Sequence, residues 1–191
     1  MTIRRSLCAI AAIVLCASTA RAQDPSKIGI TMGYPASVGI LWNASNTIAL
    51  RPTIDFAGTS ATESGVATST DRSVSFGADV LFYVRKYDRL RTYVAPHLDY
   101  AHGSNRSQPT AGGTAISGND SAVGLAGVFG AQYGLSDRFG LFGEVGFGFS
   151  HATVSTTFSA PTQTTFGSLP PTSGSSNAWG TRAGIGVIFY P

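Results

Sequence analysis

The stretch SVSFGADVLFYV, Ser73–Val84, decides how this chain folds. Val74, Phe76, Ala78, Val80, Phe82 and Val84 occupy one side of a period-two repeat, and Ser73, Ser75, Gly77, Asp79, Leu81 and Tyr83 occupy the other. Successive side chains of a strand point to opposite faces. An unbroken alternation of this kind therefore predicts a strand with one bulky apolar face and one smaller, more polar face.

The same alternation recurs along the chain. Ile48, Leu50, Ile54 and Phe56 alternate with Thr47, Ala49, Arg51, Thr53 and Asp55. Val94, Leu98 and Tyr100 stand against Arg91, His97 and Asp99, and Val123, Leu125, Phe129 and Tyr133 against Ala122, Gly124, Gly130 and Gln132. Phe139, Leu141, Val145, Phe147 and Phe149 face away from Gly140, Glu144, Gly146 and Gly148. Trp179, Ile185, Val187 and Phe189 face away from Gly180, Arg182, Gly184 and Gly186. A shorter pair, Lys27–Tyr34 and Ala36–Asn43, turns at Pro35 and brings the count to eight strands of roughly the 9–11 residues of a tilted membrane strand. Tight turns at Asn43–Asn46, Arg85–Arg89 and Gly134–Arg138 alternate with long polar connections at Gly58–Arg72, His102–Asp120 and His151–Ser176. Strands joined in this order predict an eight-stranded, antiparallel, up-and-down transmembrane β-barrel, with short periplasmic turns and three mobile external loops.

Three features orient the apolar face toward lipid. Charged residues make up 12% of the chain, against about 25% in an average soluble domain. The bulky residues of eight strands would overfill so narrow a bore, whereas Gly, Ala, Ser, Thr and a few paired charges fit it. Aromatic side chains also gather at both strand ends: Trp42, Tyr133, Phe139 and Phe189 near the tight turns, and Phe56, Tyr100, Phe149 and Trp179 near the loops. Two such belts match the two interfaces of a membrane. The competing reading is a soluble periplasmic barrel with its apolar face turned inward.

The first 22 residues read as a removable export signal. Arg4 and Arg5 precede the apolar run Leu7–Ala20, and Ala20-Arg21-Ala22 forms an A-x-A cleavage site. The run is too short to span a bilayer as a helix. Cleavage would leave one barrel domain over residues 23–191 and would remove Arg4, Arg5 and Arg21, leaving ten basic against ten acidic residues. The basic balance of the full chain is thus no sign of nucleic-acid binding. Cys8 and Cys16 leave as well, so the domain has no disulfide, thiolate nucleophile or cysteine metal ligand.

The end of the chain, Arg182-Ala-Gly184-Ile-Gly-Val187-Ile-Phe189, resembles the C-terminal insertion signal read by the barrel-assembly machinery, although Tyr190 and Pro191 follow the aromatic. With Tyr133-Gly-Leu-Ser-Asp-Arg-Phe-Gly-Leu-Phe-Gly-Glu-Val-Gly146, the chain is similar to the small outer-membrane barrels that include OmpA-type and opacity-type domains. The resemblance implies the barrel fold and outer-membrane lipid as the surroundings. The barrel is expected to be a monomer and to hold no cofactor.

Function is written less clearly. Arg51, Asp55, Asp79, Arg91, His97, Asp99, Glu144 and Arg182 should point inward and pair, because unpaired buried charges are costly. They would form a structural plug or, alternatively, line a narrow ion pore. His102-Gly-Ser104 weakly resembles the His-x-Ser of outer-membrane lipid A deacylases, in which a histidine activates a serine. Those enzymes also orient the histidine with a glutamate, and here Asp120 is the first carboxylate to follow. His97, His102 and His151 lack metal-site spacing, and no helix follows Gly124, Gly127 and Gly130 to make a phosphate loop. The expectation is a non-enzymatic barrel of structural or surface-interaction role, with any surface ligand bound through the external loops.

Overall fold

The computed structural model describes residues 28–34, 37–63, 67–109, 115–159 and 170–191. The expected signal, with Ala20 and Ala22, lies outside them, as does the turn at Pro35. The described residues form β1 (Ile28–Tyr34), β2 (Ser37–Asn43), β3 (Ile48–Glu63), β4 (Ala67–Tyr87), β5 (Leu90–Pro109), β6 (Ala115–Gly134), β7 (Phe139–Ser159) and β8 (Thr172–Phe189). Each strand pairs antiparallel with the next, and β1 pairs with β8 over Ile30↔Phe189 to Tyr34↔Ile185, closing the barrel. The short first hairpin therefore completes the ring.

Stagger sets the shape. Followed from Thr31 through Gly39, Thr53, Gly77, Asp99, Gly124 and Ser150, the ladder reaches Ala178 on β8, yet Thr31 itself pairs with Ile188. That offset requires strands tilted by roughly 35–45° and a bore that side chains can fill.

The outer face is apolar, as the alternation requires: Ile30, Ile40, Phe76, Leu98, Leu125, Phe129, Val145 and Phe147 are all exposed. No helix among the described residues is long and apolar enough to cross a membrane. The backbone groups between these side chains are paired strand to strand, as hydrocarbon demands.

Two expectations need correction. The segments 58–72, 102–120 and 151–176 are not simply long loops. Pairs such as Gly58↔Arg72, Ser104↔Asn119 and Thr156↔Thr172 carry the strands well into them, so β4 and β7 reach 21 residues each. The alternation fades there because Ser, Thr and Asn occupy both faces in water, but the backbone ladder and the strand preference of Thr persist. The interior also is not built of small and ionised groups alone. Leu41, Leu81, Tyr93, Phe142 and Ile188 point inward and are buried near the tight-turn end.

Those large inward side chains fit because glycines stand beside them. Tyr93 is paired with Gly130, where an added Cβ would lie 2.4 Å from the Tyr93 ring; Phe142 is paired with Gly186, where it would lie 2.5 Å away. Tyr93 is fully buried and has no room to retreat. The tight turn between β4 and β5 places Asp88 at φ 42°, a left-handed conformation that Asp tolerates better than most residues. Gly130→Ala should lower the stability of the folded barrel by about 1–3 kcal/mol through overpacking. Gly127→Ala, on the lipid face with nothing within 4 Å of the new methyl, should leave it unchanged. Urea midpoints of the two variants in lipid vesicles check this, and equal midpoints would contradict it.

Candidate functional site in the barrel interior

A charged chain crosses the bore immediately above the apolar layer. Arg51 Nε donates to Asp79 Oδ2 at 3.0 Å, and Arg51 Nη2 donates to Glu144 Oε1 at 2.5 Å. Tyr93 completes the Glu144 site by donating its hydroxyl to the same Oε1 at 2.5 Å. His97 lies between two carboxylates, with Nδ1 2.7 Å from Asp79 Oδ1 and Nε2 3.2 Å from Asp99 Oδ1. The Arg51 guanidinium also sits 5.0 Å over the Phe142 ring.

The register explains the grouping. Arg51 is paired with Asp79, and Asp79 with His97, so three inward side chains share one cross-strand row. Glu144 arrives from β7 on the opposite wall, and its link to Arg51 ties the two sides of the ring together. Arg51 and Asp79 side chains are only 5% and 2% exposed, so their charges are stabilised by each other rather than by water.

Five of the eight residues expected to form the interior network are thus joined: Arg51, Asp79, His97, Asp99 and Glu144. Asp55 faces the same cavity and accepts a bond from Ser75 at 3.5 Å. Arg182 also lines that cavity, from β8. Arg91 lies apart, on the tight-turn side of the apolar layer, with its guanidinium 5.5 Å over the Tyr83 ring. The Tyr83 hydroxyl there meets Asn43 Oδ1 at 3.2 Å and Gln132 Oε1 at 3.0 Å. Tyr93, Phe142 and Tyr83 were not anticipated as interior partners. Their inward parity was the available signal, with glycine opposite Tyr93 and Phe142 on a neighbouring strand.

Above the network is a cavity of about 810 Å³, and below the apolar layer a second of about 250 Å³. Leu41, Leu81, Tyr93 and Ile188, all fully buried, lie between them. No cluster of three or more His, Cys, Asp or Glu suited to a metal occurs among the described residues.

His102 and Ser104 both lie on the outer face of β5, but His102 Nδ1 meets the hydroxyl of Ser121 on β6, at 3.0 Å. Asp120 packs over Gly103 on the opposite face of the sheet, where it cannot orient the His102 ring. Of the expected insertion signal, Arg182 and Gly184 face inward, while Val187 pairs with Leu141 and Phe189 with Phe139.

No protein-family model matches the chain, and no curated protein matches it. Among solved structures it is similar to a major outer membrane protein of Thermus thermophilus, at 13% identity and a TM-score of 0.58, covering 85% of this chain and 98% of that one. The chain has the fold of a small outer-membrane β-barrel. Lower similarity links it to CarO of Acinetobacter baumannii, at 13% identity and TM-score 0.43, covering 86% of this chain and 97% of that one. Ail, the attachment invasion locus protein of Yersinia pestis, is 12% identical with TM-score 0.43 over 85% of this chain and 91% of its own. For this barrel the Thermus likeness fixes architecture, and the outward apolar belt fixes its surroundings as lipid.

Removing the central cation should be costly. Arg51→Ala leaves Asp79 and Glu144 buried without their shared partner and should destabilise the barrel by about 3–5 kcal/mol. Arg51→Lys, which keeps the charge but loses the fork that spans both carboxylates, should lie in between. Urea unfolding in vesicles reads both, and an unchanged Arg51→Ala midpoint would refute the central role given to this residue.

Proposed function

We propose that this barrel is a membrane-anchored display scaffold whose work is done at the cell surface. The carrying observation is that the strands outlast the apolar belt. Beyond Phe56, Val74, Tyr100, Val123, Phe149 and Trp179, the outward positions become Gly58, Arg72, His102, Ser121, His151 and Asn177. The sheet nevertheless continues to Glu63, Pro109 and Ser159 at the ends of β3, β5 and β7.

This upper wall is held by ladder bonds and by polar side-chain pairs. His151 Nδ1 lies 2.7 Å from Asn177 Oδ1, and the Ser117 and Thr157 hydroxyls lie 2.8 Å apart. A partner would therefore meet a regular sheet of hydroxyls and amides, more preorganised than a coil and cheaper to bind through. The packed lower interior supports the same reading, since a sealed bore suits an anchor better than a pore. The position of Asp120, on the other face from His102, weighs against a lipid A deacylase. In this reading the protein acts as a monomer, and the assembly machinery reads Arg182, Gly184, Val187 and Phe189 during insertion.

A variant lacking residues 104–119, with Gly103 and Asp120 joined by an Asn-Gly turn, tests this. Cells carrying it should retain a heat-shifting folded barrel but attach less to serum-coated surfaces than cells carrying the whole protein. Equal attachment by the two strains would overturn the surface role.

A further inference from the structure

The ring is complete only in its lower half. The β2–β3 ladder ends at Ser37↔Asp55, and the β1–β8 ladder ends at Tyr34↔Ile185. Beyond those pairs, β3 from Phe56 and β8 back from Gly184 each have one edge without a strand partner among the described residues. The free length on β8 runs from Thr172 to Gly184, far more than a frayed end.

Burial shows that this gap opens the interior. On β6 the inward residue Gly124 is buried, and on β7 Gly148 and Ser150 are partly covered. On β8 the inward residues Ala178, Gly180 and Arg182 are exposed, as are the outward ones between them. Among the described residues one wall of the upper barrel is therefore a notch, leading sideways into the cavity of about 810 Å³ above the charged network.

The notch carries the four most exposed large apolar side chains of the described residues: Tyr34 at 77%, Trp179 at 70%, Ile185 at 68% and Phe56 at 65%. Trp179 is braced rather than loose, with its ring 4.7 Å from Phe149 and 6.0 Å from Phe147. These residues belong to the upper edge of the lipid belt, so the notch faces the outer leaflet and the headgroup layer. The cavity behind it has the opposite character. Asp55, Asp79, Asp99 and Glu144 outnumber Arg51 and Arg182, with His97 among them. Asp79 and Glu144 are engaged by Arg51 and one oxygen of Asp99 by His97, which leaves Asp55, bonded to Ser75, as the cavity-side carboxylate without an ion pair among the described residues, beside Asp99.

The geometry points to a lateral binding site for a cationic amphiphile. Its apolar tail would lie between Tyr34, Phe56 and Trp179 in contact with the membrane. Its ammonium head would sit inside, against Asp55 and Asp99. The volume falls within the roughly 300–1,000 Å³ of small-ligand sites. Entry from the leaflet explains why the apolar residues sit at the rim and the charges at the floor. A site loaded from water alone would need no apolar rim. This site is separate from the surface wall above it and stands whether or not that wall binds a partner.

Equilibrium dialysis of labelled dodecylamine against the whole protein in lipid nanodiscs, corrected for empty nanodiscs, tests the assignment. Dodecylamine should bind, while dodecanoate, with the same tail length and the opposite charge, and butylamine, with the same head and little tail, should each bind at least tenfold more weakly, about 1.4 kcal/mol. Gly180→Leu projects into the open mouth, where nothing lies within 4 Å of a new Cβ, and should also weaken dodecylamine about tenfold. Asp55→Asn should do the same. Gly127→Leu, equally unobstructed but on the far lipid face, controls for fold and should bind as the parent does. Equal binding by Gly180→Leu and Gly127→Leu, or by dodecylamine and dodecanoate, would overturn the site. Butylamine binding as tightly as dodecylamine would overturn lateral entry.

Discussion

Backbone pairing in hydrocarbon governs this molecule. Each peptide group within the bilayer core must find its partner inside the protein, at a cost of several kcal/mol for every one that does not. Only a closed ring meets that demand with strands, and the short β1–β2 hairpin closes it where lipid surrounds the chain. At the upper edge of the belt, within reach of headgroups and water, the ring opens between β3 and β8 among the described residues. The same constraint that forces closure below permits the notch above.

Closure with a ten-residue stagger, Ala178 to Ile188, makes the bore narrow, and the rest of the interior follows from filling it. Large inward side chains near the tight turns need glycine on the adjacent strand, which is why Tyr93 lies over Gly130 and Phe142 over Gly186. The charged row above them uses one guanidinium to satisfy two carboxylates from opposite walls. Such a bridge adds little net stability over a well-packed apolar core, but breaking it strands buried charge. It therefore acts chiefly as a lock on which strands face each other across the bore.

The barrel was legible in the sequence because its signal is physical and repeated. Lipid outside and a filled bore inside impose opposite chemistries on alternate residues, as at Val74–Val84, and short turns alternate with long connections. The interior charges were legible for the same reason, since a charge at inward parity has nowhere else to go. Three things were hidden. Strand extension beyond Phe56 or Tyr100 was masked because water on both faces erases the alternation while leaving the ladder intact. The apolar interior layer was hidden because Tyr93 or Phe142 at inward parity looks like an exception until the glycine opposite it is paired. The notch was hidden because it depends on where β1 and β2 stop relative to their neighbours, a property of register rather than of any residue type.

The direction of the bulky face is the claim on which all of this stands, and the two tryptophans report on it. Trp42 lies near the tight-turn end of the belt and Trp179 near the other. In vesicles of lipids brominated along the acyl chain, both should emit in the blue and be quenched, most strongly by bromine placed close to the headgroups. Emission at the wavelength of water-exposed indole, with no quenching by any brominated lipid, would contradict a barrel that turns its apolar side chains to the membrane.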